Sequence, residues 1–338
     1  MDFLFGDILG KPLWSWLAFF CVILALLVFD LGILHRKPKE IGVRESLKLS
    51  AFYVGIGVAF AGWVWHHLGP DPAVQYLTGF VVEWSLALDN VFVIATIFAY
   101  FGIPRAYQHR VLVWGILGVV VLRAIMIGAG VAAVHEFDWV LQVFAAFLVL
   151  TGLKMLLTAD KEYDVASNPI LRLMRRRLRV TEQLHEDRFL VRQPDPRSGR
   201  VVTFATPLLL ALVLVEIADI IFAVDSIPAI FAITTDPYIV YTSNIFAVLG
   251  LRALFFALSA MMHRFALLKY ALAVVLVFIG GKILAADLLD IGKMPAMLSL
   301  AITLAILGAG LVASLWRTRA TPAAVQSASG SERNRSAA

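Results

Sequence analysis

Glu83-Trp-Ser-Leu-Ala-Leu-Asp89-Asn90 and Glu216-Ile-Ala-Asp219-Ile-Ile-Phe-Ala-Val-Asp225-Ser226-Ile-Pro228 place five carboxylates inside segments otherwise fit for hydrocarbon. A carboxylate at bilayer depth is costly unless a partner, a proton or water relieves it, so the default reading of such a group is functional. With Asn90 and Ser226 beside them, these groups form an all-oxygen set without cysteine and without a histidine at helical spacing. Oxygen donors suit a hard divalent ion such as Mn²⁺, Mg²⁺ or Ca²⁺, disfavour copper and suit zinc less well.

Helical phase arranges the set. At 3.6 residues per turn Glu83 and Asn90 share a face, with Asp89 about 120° away. Asp219 and Ser226 repeat that relation. Glu216 sits one turn from Asp219 but opposite Asp225 in a regular helix. Pro228 removes the donor for the Val224 carbonyl, so a kink or short unwinding near Asp225 is expected there, exposing carbonyl oxygens. Only Arg123 and Arg252 are central cations; Lys154 and Lys282 lie near span ends and snorkel. Two arginines against five acids leave negative charge for a proton, because burial favours the neutral carboxyl, and for a divalent cation.

The elements that hold these residues follow from composition. The 338-residue chain is 60% hydrophobic and 16% charged, against about a quarter charged in soluble domains, which makes it an all-α polytopic membrane protein. About 20 residues span the hydrocarbon core, giving nine candidate spans at 13–34, 45–66, 73–101, 110–134, 139–158, 204–232, 239–262, 266–286 and 295–316. The first is too long for the apolar part of a signal peptide and reads as a retained helix. Cys21 is the single cysteine, which excludes a disulfide framework or a cysteine-based metal cluster.

Charge alternates between connections. Those after spans one, three, five, seven and nine carry His35-Arg36-Lys37, Arg105 with Arg110, Arg172 to Arg179, Arg264 with Lys269, and Arg317 with Arg319. The others carry Asp71, Glu136 with Asp138, Asp236, and Asp287 with Asp290, Lys293 being their only Lys or Arg. The positive-inside rule then puts the N-terminus outside and the C-terminus in the cytoplasm. The net charge of +5 is therefore topological, and no nucleic-acid partner is expected. Within the long basic connector, Leu171 to Leu178 reads as a surface amphipathic helix facing lipid headgroups. Arg188 to Val191 and Val201 to Phe204 read as a hairpin. His66 and His67, with Asp71, read as interfacial histidines rather than a metal vestibule. Asp30 is expected to pair with the basic loop after it, and Trp14, Trp63, Tyr76 and Tyr238 to anchor the interface.

The two acidic segments belong to a duplication. Glu83 matches Asp219, and Asp89-Asn90 matches Asp225-Ser226. Leu122-Arg123-Ala124 matches Leu251-Arg252-Ala253, and Gly152-Leu-Lys154 matches Gly280-Gly-Lys282. Each unit has three spans, so the second copy is expected to be inverted, as in many secondary transporters with a site near the midplane. The organisation reads as accessory spans at 1–72, a first repeat at 73–158, the basic connector at 159–203, a second repeat at 204–288, a ninth span at 289–318 and a disordered Ala/Ser-rich tail at 319–338. Glu216 alone has no counterpart, Phe80 standing in its place, which makes it the candidate proton carrier.

Glu83-x5-Asp89-Asn90, Glu216-x2-Asp219-x5-Asp225-Ser226-x-Pro228-Ala229 and Asp187-Arg188-Phe189 resemble the TerC family of integral membrane proteins, which includes the alkaline-induced Alx branch. The resemblance runs from about residue 13 to 316 and shows no departure at the acidic positions. It implies a multi-pass protein of the bacterial inner membrane and, for several members, manganese efflux, with Glu83, Asp89, Glu216, Asp219 and Asp225 as the metal-site residues. The reading is thus a secondary exporter of Mn²⁺ (or Mg²⁺ or Ca²⁺), carried rather than permanently bound, with proton return through the same acids. Asp89 and Asp225 are the primary ligands and Asn90 and Ser226 the neutral oxygens, while Arg123 and Arg252 hold the acids between cycles. The alternative is a non-transporting membrane scaffold or assembly factor in envelope or tellurite stress. No enzyme activity is expected: the motifs of intramembrane aspartyl proteases and the phosphate-binding loop of ATPases are missing. A carboxylate-lined site also repels the tellurite oxyanion. Protein partners are not legible.

Overall fold

The computed structural model describes residues 7–29, 42–137, 139–158, 164–194, 199–259, 267–289 and 294–319. Helices dominate it: α1 Leu13–Phe29, α2 Val43–Leu68, α3 Pro70–Tyr100, α4 Arg105–Glu136, α5 Val140–Thr158, α6 Pro169–Arg177, α7 Pro207–Phe231, α8 Pro237–Ser259, α9 Leu268–Leu288 and α10 Ala296–Arg319. Among the described residues eight of these are long and apolar enough to cross a bilayer, and the shorter α1 is the described part of the first expected span. Proline sets several starts. Pro70, Pro169, Pro207 and Pro237 open their helices, where a missing N–H costs nothing and the fixed φ suits the first turn. Gly69 joins α2 to α3 at φ 96°, its N–H closing on the Trp65 carbonyl, a backbone state that a side chain resists. The Asp30 reading and the tail at 320–338 fall outside the described residues.

Large apolar side chains such as Leu24, Ile125, Leu150, Leu157 and Val312 are exposed around the bundle, as a surface in contact with lipid tails requires. Helix α8 is the centre, buried along almost its whole length and packed on α2, α3 and α4. Its tie to α2 is polar: Ser46 Oγ donates to the Ala253 carbonyl at 2.6 Å and Ser50 Oγ to the Gly250 carbonyl at 3.1 Å. Small polar residues of this kind bind helices where apolar burial cannot distinguish protein from lipid.

Tyr76 and Tyr238 correct the sequence reading. Both are fully buried; the Tyr76 hydroxyl donates to the Gly57 carbonyl at 3.0 Å and that of Tyr238 to the Ser15 carbonyl at 3.2 Å. With the phenol satisfied inside, the ring works as a core residue rather than an interface anchor. His67 stacks on Trp63 at 4.7 Å and meets its carbonyl at 3.1 Å, in keeping with an interfacial role.

The α5 and α9 helices pack in reciprocal fashion. Gly152 seats on Ala273 and Val277, while Gly280 seats on Ala145 and Val149, residues at the same spacing in the two segments. Such an exchange is what a two-fold relation between paired helices produces. A Cβ at Gly280 would lie 2.5 Å from the Ala145 carbonyl oxygen, and one at Gly152 would lie 2.7 Å from that of Ala273. Backbone cannot yield as a side chain can. Gly280→Ala is therefore expected to destabilise the protein by about 1–3 kcal/mol, measured as a lowered unfolding midpoint in detergent, with Gly281→Ala, where nothing is in reach, as the neutral control.

The two ends of the bundle differ. One carries Asp71, Asp236 and Asp287, where Lys11 pairs with Asp236 at 2.9 Å and Asp236 caps α8 through the Tyr238 and Ile239 N–H groups. The other carries the connector, whose expected elements form: the amphipathic α6, capped by the Asn168 side chain and seated through Leu171 and Met174, and an antiparallel hairpin of β3 Leu190–Pro194 and β4 Val201–Ala205. The Asp187-Arg188-Phe189 stretch anchors it. Asp187 pairs with Arg110 of α4, the Arg110 guanidinium lies 5.5 Å over the Phe189 ring, and the Arg188 carbonyl accepts from Thr206 Oγ1 at 2.7 Å.

Candidate functional site

The acidic helices α3 and α7 pack together and meet at two levels. At the first, Glu83 Oε1 lies 2.8 Å from Arg123 Nη1, and the same Arg123 nitrogen donates to Ser226 Oγ at 2.8 Å. Arg123 and Ser226 are thus the polar neighbours of the buried Glu83 carboxylate. At the second, Arg252 Nη2 lies 2.7 Å from Asp219 Oδ2, and Asn90 Nδ2 donates to Asp219 Oδ1 at 3.3 Å. Arg252 also donates through Nη1 to the Leu112 carbonyl of α4. All six side chains are buried. Glu83 and Asn90, like Asp219 and Ser226, are two turns apart, which separates the levels by about 10 Å along the helices.

The levels share a plan but differ in detail. An acid and an arginine from one acidic unit are met by a small polar residue of the other, Ser226 accepting from the arginine in the first case and Asn90 donating to the acid in the second. The structure thus brings Glu83, Arg123 and Ser226 together, and Asp219, Arg252 and Asn90 together. It leaves Asp225 and Glu216 outside both ion pairs.

Asp225 is half-buried and accepts from Thr151 Oγ1 of α5 at 3.3 Å, with Lys154 as an electrostatic neighbour. Lys154 is exposed near the end of α5, where its charge still reaches Asp225. Lys282 donates to Ser299 Oγ at 2.8 Å. The expected unwinding at Asp225 does not occur. Helix α7 runs unbroken from Pro207 to Phe231, since Pro228 stands in its last turn and deletes a single bond. Its neighbours Ser226, Ile227, Ala229 and Ile230 are packed on all sides, which holds the turn. Asp89 lies on α3 beside Asn90, but its side chain is outside the described residues.

Glu216 is distinct. Both its carboxyl oxygens are buried without a hydrogen-bond partner, over Gly115 and Gly118 of α4, with Arg252 and Asp219 as electrostatic neighbours. Among the described residues no three His, Cys, Asp or Glu side chains converge as a metal cage.

An open cleft of about 1550 Å³ descends from the acidic end, lined among others by Asp71, His135, Asp236, Lys282 and Asp287. It reaches Thr78 on α3 and Phe231 on α7, each five residues from Glu83 or Ser226, or about 7 Å short of the first level along the helix. Phe231 is among its lining residues. The ring sits over Gly130, where a Cβ would come 2.5 Å from Cε2, and lies 6.1 Å from the Phe144 ring. A second cavity of about 30 Å³ reaches Arg252 between Leu27, Tyr53, His109 and Leu112, enough for a water molecule.

Sequence reasoning missed Thr151, the Gly115–Gly118 pair and Asn244. Asn244 is fully buried on α8 with neither amide atom hydrogen-bonded. A signal existed in each case: Thr151 adjoins the Gly152 marker, the two glycines stand at helical spacing, and Tyr241-Thr-Ser-Asn244 is a polar run inside an apolar span.

The sequence pattern of the integral membrane protein TerC family matches residues 68–322. A membrane protein of Myxococcus xanthus with no assigned role is 46% identical over 307 residues, 91% of this chain and 93% of its own length. Proteins designated putative membrane-bound redox modulator Alx are similar too. The one from Salmonella typhi is 45% identical over 316 residues, covering 91% of this chain and 95% of its own, and that from Escherichia coli K12 is 43% identical over the same number, covering 91% and 95%. No solved structure matches.

Proposed function

The chain belongs to the TerC family of integral membrane proteins, and from that membership and its two buried acid–arginine levels we propose that it is a secondary transporter exporting a divalent metal ion, Mn²⁺ first among candidates. The observation that carries the reading is the build of those levels, each an acid neutralised by one arginine and completed by a polar residue from the other half. Those third partners tie each pair to the opposite acidic segment, so the two segments are coupled at the site. An arginine that already neutralises the acid is a built-in stand-in for a transported cation, which takes its place during a cycle.

The remaining parts fit the same scheme. Asp225 and Glu216 supply charge beyond the two pairs, Asn90 and Ser226 supply neutral oxygens, and Asp89 stands next to Asn90. That all-oxygen set favours Mn²⁺, Mg²⁺ or Ca²⁺, and the family resemblance points to Mn²⁺ among them. On the charge pattern of the loops the acidic end faces outward and the basic connector faces the cytoplasm of a bacterial inner membrane. The cleft is then the exit vestibule, and Phe231 the plug between it and the first level. The reciprocal α5–α9 packing supports a rocking of two inverted halves about the site, with Glu216 as the carrier of a returning proton. The protein works as a carrier and not as an enzyme.

The designation of the Alx relatives as redox modulators favours a second reading, an effect on cellular redox state. With Cys21 the only cysteine in the sequence, an intramolecular dithiol is not the route, and an effect through the carried metal is the form of this reading that fits the transport proposal. The test is Mn²⁺ efflux from loaded membrane vesicles. Asp225→Asn and Asp89→Asn are each expected to reduce it to the level of vesicles lacking the protein, with normal membrane insertion. Unchanged efflux removes these residues from the pathway.

A further inference from the structure

Gly115 of α4 underlies two charged groups at once. A Cβ built there meets the Arg252 guanidinium, with Cζ at 3.2 Å, and also Glu216 Oε1 at 3.2 Å. One turn on, a Cβ at Gly118 would overlap the Glu216 carboxyl itself. The two glycines therefore cut a notch in α4 that holds the guanidinium and the carboxyl side by side. Yet Arg252 is paired with Asp219 at 2.7 Å, and both Glu216 oxygens lack a hydrogen bond. A polar group buried without a partner is destabilising in the state where it stands alone, so a carboxyl kept beside an arginine it does not touch calls for a second state.

We propose that the Gly115–Gly118 notch makes Glu216 the alternative partner of Arg252, so that the guanidinium passes from Asp219 to Glu216 when a divalent cation takes Asp219. The proposal rests on the transport reading above. Cation binding at Asp219 displaces the guanidinium into the protein interior, and an unpaired buried cation is among the costliest groups a fold can hold. Glu216 removes that cost without a helix having to move, because both groups already lie over Gly115. The move needs only side-chain rotations about the notch.

The other half lacks the device. Asn244 stands eight residues before Arg252 as Gly115 stands eight before Arg123, and Phe80 and Ala247 take the places of Glu216 and Gly118. Arg123 has Ser226 Oγ as its second partner instead. Hand-over at one level only gives the two levels unequal affinity for the same cation.

The test is Mn²⁺ binding to the purified full chain in detergent, by calorimetry with MnCl₂ alone. Glu216→Gln leaves Arg252 competing for Asp219 and is expected to weaken binding about tenfold or more. Adding Arg252→Gln removes the competitor and is expected to bring affinity back to within a few-fold of the wild type, a recovery that a merely structural role does not produce. Gly118→Ala should reproduce the Glu216→Gln loss and add nothing in the Glu216→Gln background; it also serves where Glu216→Gln fails to fold. Unaltered affinity in Glu216→Gln, or a double variant weaker than either single one, overturns the hand-over alone. A wild-type chain that binds no Mn²⁺ overturns the transport reading and the hand-over with it.

Discussion

Asp219→Asn is expected to abolish Mn²⁺ efflux and to destabilise the protein by about 3 kcal/mol. The two losses have separate causes. Asp219 is buried and uses one oxygen for Arg252 and the other for the Asn90 amide, so asparagine removes the charge that a divalent cation exchanges against. It also strands Arg252, which the fold encloses from α4, α7 and α8. Breaking a buried pair by deleting one partner costs about 3–5 kcal/mol, and Glu216 beside the guanidinium places this case at the lower edge of that range. Glu216→Gln added to Asp219→Asn should therefore destabilise by more than the sum of the single effects. Denaturant titration in mixed micelles reads the stability, and vesicle efflux reads the function. Additive effects would mean that Glu216 does not receive the guanidinium.

Arg123→Met is expected to cost as much or more, about 3–5 kcal/mol, because Glu83 is wholly buried and Arg123 is its only ion-pair partner among the described residues. The informative comparison is Arg123→Met with Glu83→Leu. Replacing both members of a buried pair by apolar residues of similar volume is often neutral or stabilising, so the double variant should recover most of the stability lost in the single one. It should recover no transport. That dissociation separates a pair kept for folding from a pair kept for function. A stable double variant with wild-type efflux would remove the first level from the pathway.

Much of this arrangement was legible before any coordinates. The spans are readable because lipid demands long apolar helices; those expected at 73–101, 204–232 and 239–262 fall on α3, α7 and α8, whose starts Pro70, Pro207 and Pro237 set a few residues away. The hairpin and α6 are readable because outside the bilayer apolar and polar residues alternate with a period. The spacing of Glu83, Asp89 and Arg123 against Asp219, Asp225 and Arg252 paired the two acidic segments, and the carboxylates found their arginines where the charges required.

What stayed hidden has one physical source. Within a bilayer, protein-facing and lipid-facing positions are both apolar, so hydrophobicity no longer reports orientation. Tyr76 and Tyr238 read as interface anchors because a phenol at a span end fits either place, and only the Gly57 and Ser15 carbonyls decide between them. The seat of Glu216 was equally silent. Gly115 and Gly118 register in the sequence as small residues, and their meaning depends on a carboxyl from α7 lying above them. At Asp225 the error lay in weighing Pro228 alone, when packing of the last turn of α7 outweighs one lost hydrogen bond.

The central claim is that this chain carries a hard divalent cation across the membrane through its buried carboxylates. Its most direct test is the purified protein in liposomes, with Mn²⁺, Mg²⁺ and Ca²⁺ offered in turn and a pH-sensitive dye inside. The account predicts saturable Mn²⁺ flux accompanied by proton movement in the opposite direction, both lost in Asp225→Asn. Flux of every divalent ion no faster than in protein-free liposomes, from protein shown to be folded and inserted, would contradict it.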